Sequence, residues 1–114
     1  MGKKALLVVS FGTSYGTALA AIENIEQTLS RAFPGYDLYR AFTSGIIIRK
    51  MKKQGVEILN PGQVMDLLAE QGYQEVLCQP THIISGLEYH KLLGILKEYR
   101  ERIPEIRIGH PLLT

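Results

Sequence analysis

Ala5-Leu-Leu-Val-Val-Ser-Phe-Gly-Thr-Ser-Tyr-Gly16 is the stretch that decides the architecture. Its apolar run, Ala5 to Val9, shows no polar alternation, the pattern of a strand buried on both faces of a parallel sheet. The run stops at Ser10 and Gly12, and from about Thr17 the period changes. Leu19, Ile22, Ile25 and Leu29 recur every three or four residues with Glu23, Asn24 and Gln27 between them, which predicts an amphipathic helix. Pro34-Gly35 stops it.

The same alternation continues outward. Asp37 to Phe42 reads as a second strand, and Thr43-Ser44-Gly45 can cap a helix from Ile46 to Lys53, whose cationic last turn complements the helix dipole. Asn60-Pro61-Gly62-Gln63 is a helix start, with Asn at N-cap, Pro at N1 and Gln at N3. Val64, Leu67 and Leu68 are expected to face inward, and Gly72 to close that helix. Glu75 to Cys78 is a third strand, and Gly86 to about Ile103 the longest helix, with Tyr89, Leu92, Leu93 and Leu96 as its apolar stripe. Ile106 to Ile108 is a short fourth strand. Alternating strands and helices predict an α/β fold: a three-layer αβα half-domain over residues 1–114, with a four-stranded parallel sheet. Right-handed crossovers and a central first strand give the flavodoxin-like order 2-1-3-4.

Composition excludes several classes. The chain has 114 residues, enough for one modest core, and its 46% apolar and 21% charged residues are ordinary for a globular protein. A net charge of +2 is too small for a nucleic-acid surface, and the basic cluster Arg49, Lys50, Lys52, Lys53 is not interleaved with aromatics. The single cysteine, Cys78, falls inside a strand, so a buried thiol is expected and no disulfide within the chain. No membrane span or signal segment is read, which makes the cytoplasm the default compartment.

Order 2-1-3-4 places the switch point between the first and third strands, where the segments Ser10 to Gly16 and Pro80 to Glu88 would share one cleft. The first carries two glycines and three hydroxyls. It reads either as an anion cradle built from Ser10, Gly12, Thr13, Ser14 and backbone N–H groups, or as a turn that needs glycine and a capping hydroxyl. Thr43-Ser44-Gly45, at the end of the second strand, has the same two readings. The second, Gln79-Pro-Thr-His-Ile-Ile-Ser-Gly-Leu-Glu-Tyr-His90, brings His82 and Glu88 close to the strand end; imidazole and carboxylate suit cobalt, nickel or zinc. Ser85-Gly-Leu-Glu88 also fits a capping box, and one carboxylate can both cap and face a cleft. His90 lies about 200° around the helix from Glu88 and is read as solvent-facing.

Lys3 to Ser14, Arg40-Ala-Phe-Thr-Ser-Gly45, Ile48-Arg-Lys50 and His82-Ile-Ile-Ser-Gly-Leu-Glu-Tyr89 together resemble the anaerobic sirohydrochlorin cobaltochelatases, class II chelatases of cobalamin biosynthesis. The resemblance runs along the whole chain. It implies ATP-independent insertion of Co2+, as substrate and with no resident cofactor, into sirohydrochlorin or precorrin-2. The family's carboxylate metal ligand falls on Glu88; Ser10, Gly12, Thr13, Ser14, Ser44, Gly45 and His82 would line the tetrapyrrole cleft. Members of the family have two similar halves, with their catalytic histidines in the second. Where one of those histidines sits in a Gly-His-Gly-like loop, this chain reads Ser10-Phe-Gly12, so it is expected to be an N-terminal half whose partner is the missing C-terminal half. Two alternatives stand: a half-size chelatase acting as a homodimer, with a Glu88 from each copy, and a non-catalytic flavodoxin-like module binding a small ligand.

Overall fold

The computed structural model describes residues 2–10, 16–80 and 86–109, and for 16–19, 21 and 86–89 the backbone. The elements are β1 (Lys3–Ser10), α1 (Gly16–Ala32), β2 (Asp37–Phe42), α2 (Gly45–Lys53), α3 (Pro61–Glu70), β3 (Tyr73–Pro80), α4 (Gly86–Glu98) and β4 (Glu105–Ile108). All neighbouring strands pair in parallel, in the order β2-β1-β3-β4. This is the topology expected from the alternation.

Register explains the unbroken apolar run of β1. Ala5, Leu7 and Val9 stand in line with Tyr39 and Ala41 of β2 and with Val76 and Cys78 of β3, and this face packs on Val64, Met65 and Leu68 of α3 and on Leu92 and Leu96 of α4. The alternate residues Leu6 and Val8 are equally buried on the other face, where α1 runs. Central parallel strands are covered on both sides, so neither side can be polar. A second cluster joins Ile22 of α1, Phe42 of β2 and Met51 of α2 with Ile58, and seats α2 beyond the carboxyl end of β2.

Four local readings need correction or sharpening. Strands β1 and β3 extend past their apolar runs, because ladder bonds do not depend on side-chain burial: exposed Lys3 pairs with buried Tyr73, and exposed Lys4 with half-buried Glu75. Helix α4 ends at Glu98 and not near Ile103. Tyr99 begins a series of tight turns, closed by Arg102 N and Ile103 N donating to Tyr99 O, and Pro104 bars the α conformation at the residue before it. Ile103 is fully buried all the same. On α3 the buried positions are Val64, Met65 and Leu68, whereas Leu67 is half-buried. On α1 a carboxylate, Glu26, sits on the buried face beside Ile22.

The caps are as expected. Asn60 N donates to Gln63 Oε1 at 2.9 Å while Gln63 N donates to Asn60 Oδ1 at 2.8 Å, a reciprocal capping box. Gly72, with φ +80°, follows α3 in the left-handed region that favours glycine. Among the described residues, no helix is long and apolar enough to cross a membrane.

Candidate functional site

The carboxyl ends of β1 and β3 lie side by side, with Val9 paired to Pro80. From these adjacent points the chain leaves toward α1 on one face and α4 on the other, which is the geometry that opens a crevice at the edge of a parallel sheet. β2 borders the same edge: Ser10 aligns with Phe42, and Thr43 N donates to Ser10 O at 2.9 Å. Thr43 is therefore tied to the end of β1, although 33 positions separate the two residues.

Each expected site residue can be located against this edge. Ser10 is fully buried at the end of β1. Ser44 is half-buried at the N-cap of α2, where its Oγ accepts from Ile47 N at 3.3 Å, so the capping reading of this hydroxyl holds. Gly45 opens α2 and is exposed. A Cβ there would meet only Arg49 Nη1 at 3.7 Å, and no positive φ demands glycine, so local packing alone does not require this residue. Glu88 is in the first turn of α4, and its side chain is outside the described set. Gly12, Thr13, Ser14 and His82 also lie outside the described residues, as does the proposed Ser85 cap. His90 is exposed, as its place on the helix requires. Among the described residues, no three His, Cys, Asp or Glu side chains gather closely enough to hold a metal ion.

Two residues at this edge, Ile46 and Lys91, escaped the reading of local patterns, and a third, Thr43, reads with Ser44 and Gly45 as a cap or an anion cradle. Ile46, in the first turn of α2, leaves 72% of its surface exposed. The Thr43 hydroxyl is closed off from solvent and has no hydrogen-bond partner. Lys91 of α4 helps line a cavity of about 260 Å3 with Thr43, Gly62 and Ile95. An apolar residue in a helix ordinarily reads as core, and a lysine as solvated surface; only the packing of α2, α3 and α4 sets these three apart.

Two polar anchors support the edge from below. Arg40 of β2 grips Glu26 of α1 with two bonds, Nε to Oε2 and Nη2 to Oε1, both 2.7 Å. The hydrogen bonds that Arg40 donates to Glu26 raise its pKa further, so the guanidinium stays charged. On the opposite face, Tyr99 Oη donates to Asp66 Oδ1 at 2.7 Å and to Gly62 O at 3.2 Å, joining the end of α4 to α3. Burial and the neighbouring Asp66 push the Tyr99 phenol up to about 12. In return the Tyr99 hydrogen bond, then Arg102, lowers the Asp66 pKa.

Fold and edge together define a three-layer αβα domain of the doubly wound kind, with the carboxyl ends of its first and third strands side by side. Residues 4–114 match the family model described as cobalt chelatase (CbiK), and the chain belongs to that family. The sirohydrochlorin cobaltochelatase of Salmonella typhimurium is 47% identical over 114 residues, covering 98% of this chain and 43% of that protein. The sirohydrochlorin cobaltochelatase CbiKC of Nitratidesulfovibrio vulgaris is 29% identical over 119 residues, covering all of this chain and 41% of that protein. The chain thus spans less than half the length of the curated relatives it matches. A solved structure from Marinobacter aquaeolei VT8, described as a cobalamin (vitamin B12) biosynthesis CbiX protein, superposes with a TM-score of 0.60 at 11% identity. It covers 95% of this chain and 81% of that one, and at such identity the likeness is one of fold.

Proposed function

We propose that this chain forms one wall of the tetrapyrrole cleft in a cobaltochelatase, a lyase of anaerobic cobalamin biosynthesis in the cytoplasm. The reaction is ATP-independent insertion of Co2+ into sirohydrochlorin or precorrin-2. The observation that carries this reading is the family match across residues 4–114, on a parallel sheet in which the first and third strands are neighbours. Co2+ is substrate here, and no resident cofactor is called for.

The chemistry asks for three things: a ligand to take the metal from its water shell, a surface for a flat macrocycle bearing acid arms, and an acceptor for the two pyrrole protons. Glu88 is the proposed ligand, since a carboxylate exchanges with water on Co2+ and offsets the charge the helix N-terminus would otherwise oppose. Exposed Ile46 offers apolar surface beside the crevice. Gly12, Thr13 and Ser14 contribute hydroxyls and N–H groups for carboxylates, Gly45 leaves the start of α2 open to a close approach, and His82 lines the pocket. Ser10, buried at the end of β1, leads in the chain to Gly12, Thr13 and Ser14. The proton acceptor and further ligands come from the rest of the polypeptide, or from a second copy.

The test is Glu88→Ala in the complete polypeptide, with cobalt insertion followed by the absorbance of the macrocycle. Insertion is expected to fall about a hundredfold or more, the loss usual when a metal site is disturbed. Insertion and metal affinity at wild-type levels, with stability reduced by ~1 kcal/mol, would make Glu88 a helix cap alone. A second reading is the half-size homodimer, with a Glu88 from each copy. Sedimentation of this chain during cobalt titration decides it: a monomer without tight cobalt binding rejects the dimer.

A further inference from the structure

The cavity between α3 and α4 is a second feature of the same edge, and the chelatase reading does not by itself assign it. It holds about 260 Å3, room for a short acid chain with accompanying water. Its walls divide by chemistry. Leu92 and Ile95 are apolar, whereas Lys91, Gly62 and Thr43 are polar or expose backbone.

We propose that this cavity is a carboxylate subsite: it takes one peripheral acid arm of the macrocycle, with the methylenes on Leu92 and Ile95 and the carboxylate on Lys91. The inference rests on the tetrapyrrole reading above and adds to it the residues that hold one arm.

Four observations converge. Lys91 is exposed and forms no ion pair with any described residue, although carboxylates elsewhere on the surface are matched to arginines. The Thr43 hydroxyl is buried without a partner, an arrangement that native proteins rarely keep without a reason. Thr43 lines the cavity, so its hydroxyl is a donor from which an incoming carboxylate would accept. Gly62 sits in the first turn of α3, where the N–H has no acceptor within the helix. A Cβ there would meet only Asn60 Oδ1 at 3.5 Å, so packing does not demand the glycine; its effect is to leave backbone uncovered at the positive end of the helix. Finally, positions 88 and 91 are three apart on α4 and share one side of it, so the subsite neighbours the proposed metal ligand.

One cation, a helix N-terminus and an apolar stem wall suit an alkyl carboxylate better than a phosphate dianion, which draws more donors. A macrocycle laid across the crevice with one arm in this cavity is held in register with Glu88. Lys91 is then a positioning residue. It acts on binding and not on the bond-making step.

The experiment uses sirohydrochlorin as the probe and the complete polypeptide. Binding is read by absorbance titration, and kcat and KM for cobalt insertion are measured separately. Lys91→Ala is expected to raise Kd and KM roughly tenfold with kcat little changed, the signature of lost uniform binding. Lys91→Glu should lose more, Lys91→Arg should recover most of the affinity, and Lys97→Ala, on the same helix away from the cavity, should bind as wild type. Thr43→Val should weaken binding while the melting temperature holds or rises, because it removes an unpaired buried hydroxyl without changing shape. Wild-type affinity in both Lys91→Ala and Thr43→Val overturns the subsite and leaves the chelatase reading standing. A lowered kcat at unchanged KM in Lys91→Ala also overturns it. Wild-type protein that binds no sirohydrochlorin overturns both.

Discussion

Removing either member of the Glu26–Arg40 pair should destabilise the domain, and by unequal amounts. The two side chains meet in a bidentate contact, but their surroundings differ: the Glu26 side chain keeps 5% of its surface in solvent and that of Arg40 keeps 28%. Arg40→Ala strands a carboxylate between α1 and the sheet where water cannot reach it. Breaking a buried pair in this way costs about 3–5 kcal/mol, and the wet rim on the arginine side places the expected loss near ~3 kcal/mol. Glu26→Ala leaves a guanidinium that already touches solvent and can turn outward, so about 1–2 kcal/mol is expected. The double alanine variant strands neither charge. Its loss should fall short of the sum of the singles by about 1–2 kcal/mol, the coupling of residues in direct contact. Urea unfolding followed by far-UV circular dichroism reads all four proteins. With a slope of about 1–3 kcal/mol per molar urea, the Arg40→Ala midpoint moves down by about 1–3 M. A Glu26→Ala variant as damaged as Arg40→Ala, or losses that simply add, would refute the argument that stranded charge sets the cost. The pair matters to function because it clamps α1, which follows the Ser14 loop, to β2, which delivers Thr43 and Ser44.

Further outcomes follow from the same physics. The lowered Asp66 pKa means that its contribution to stability is present above the unfolded-state pKa, about 3.9, and is lost as pH falls through the lower folded value. Asp66→Asn should flatten the acid limb of the stability profile below about pH 4 and leave the neutral region with the milder loss of one hydrogen bond. Burial pushes the Cys78 thiol up to about 12, so in the native state it stays neutral and shielded at pH 8. Reaction with Ellman's reagent should be slow in buffer and rise in step with urea unfolding; rapid labelling of native protein would contradict the packing of β3. The same raised pKa is a source of alkaline instability: the thiol's contribution is whole below about pH 8.5 and is lost as pH rises from there toward 12.

Much of the fold was legible because its signals are local. The Asn60–Gln63 capping box, the Ser44 cap and the Pro34-Gly35 stop each lie within a few residues and report backbone chemistry that any surroundings would respect. The end of α4 was misread for the opposite reason. Its apolar spacing continues to Ile103, which is buried, yet the residues from Tyr99 onward are turns, because Tyr99 is tied to Asp66 and Gly62 of a helix far away in sequence. Of the site, the motif-bearing segments were legible, and the strand order that sets the ends of β1 and β3 side by side followed from the alternation. Nothing in the spacing indicated that Ser10 is fully buried, nor that Thr43, Gly62 and Lys91 share a cavity.

By itself, the sequence determined the succession of strands and helices, where helices begin, and membership in a family of chelatases, since periodicity, caps and motif order are all properties of neighbouring residues. Only the tertiary structure decided which distant residues come together: Glu26 pairs with Arg40, Tyr99 with Asp66, and Lys91 and Thr43 line one cavity. The physical reason is that burial and pairing depend on which faces of α1, α3 and α4 are pressed against the sheet. A rotation of a helix by one residue, about 100°, is enough to exchange a buried partner for a solvated one.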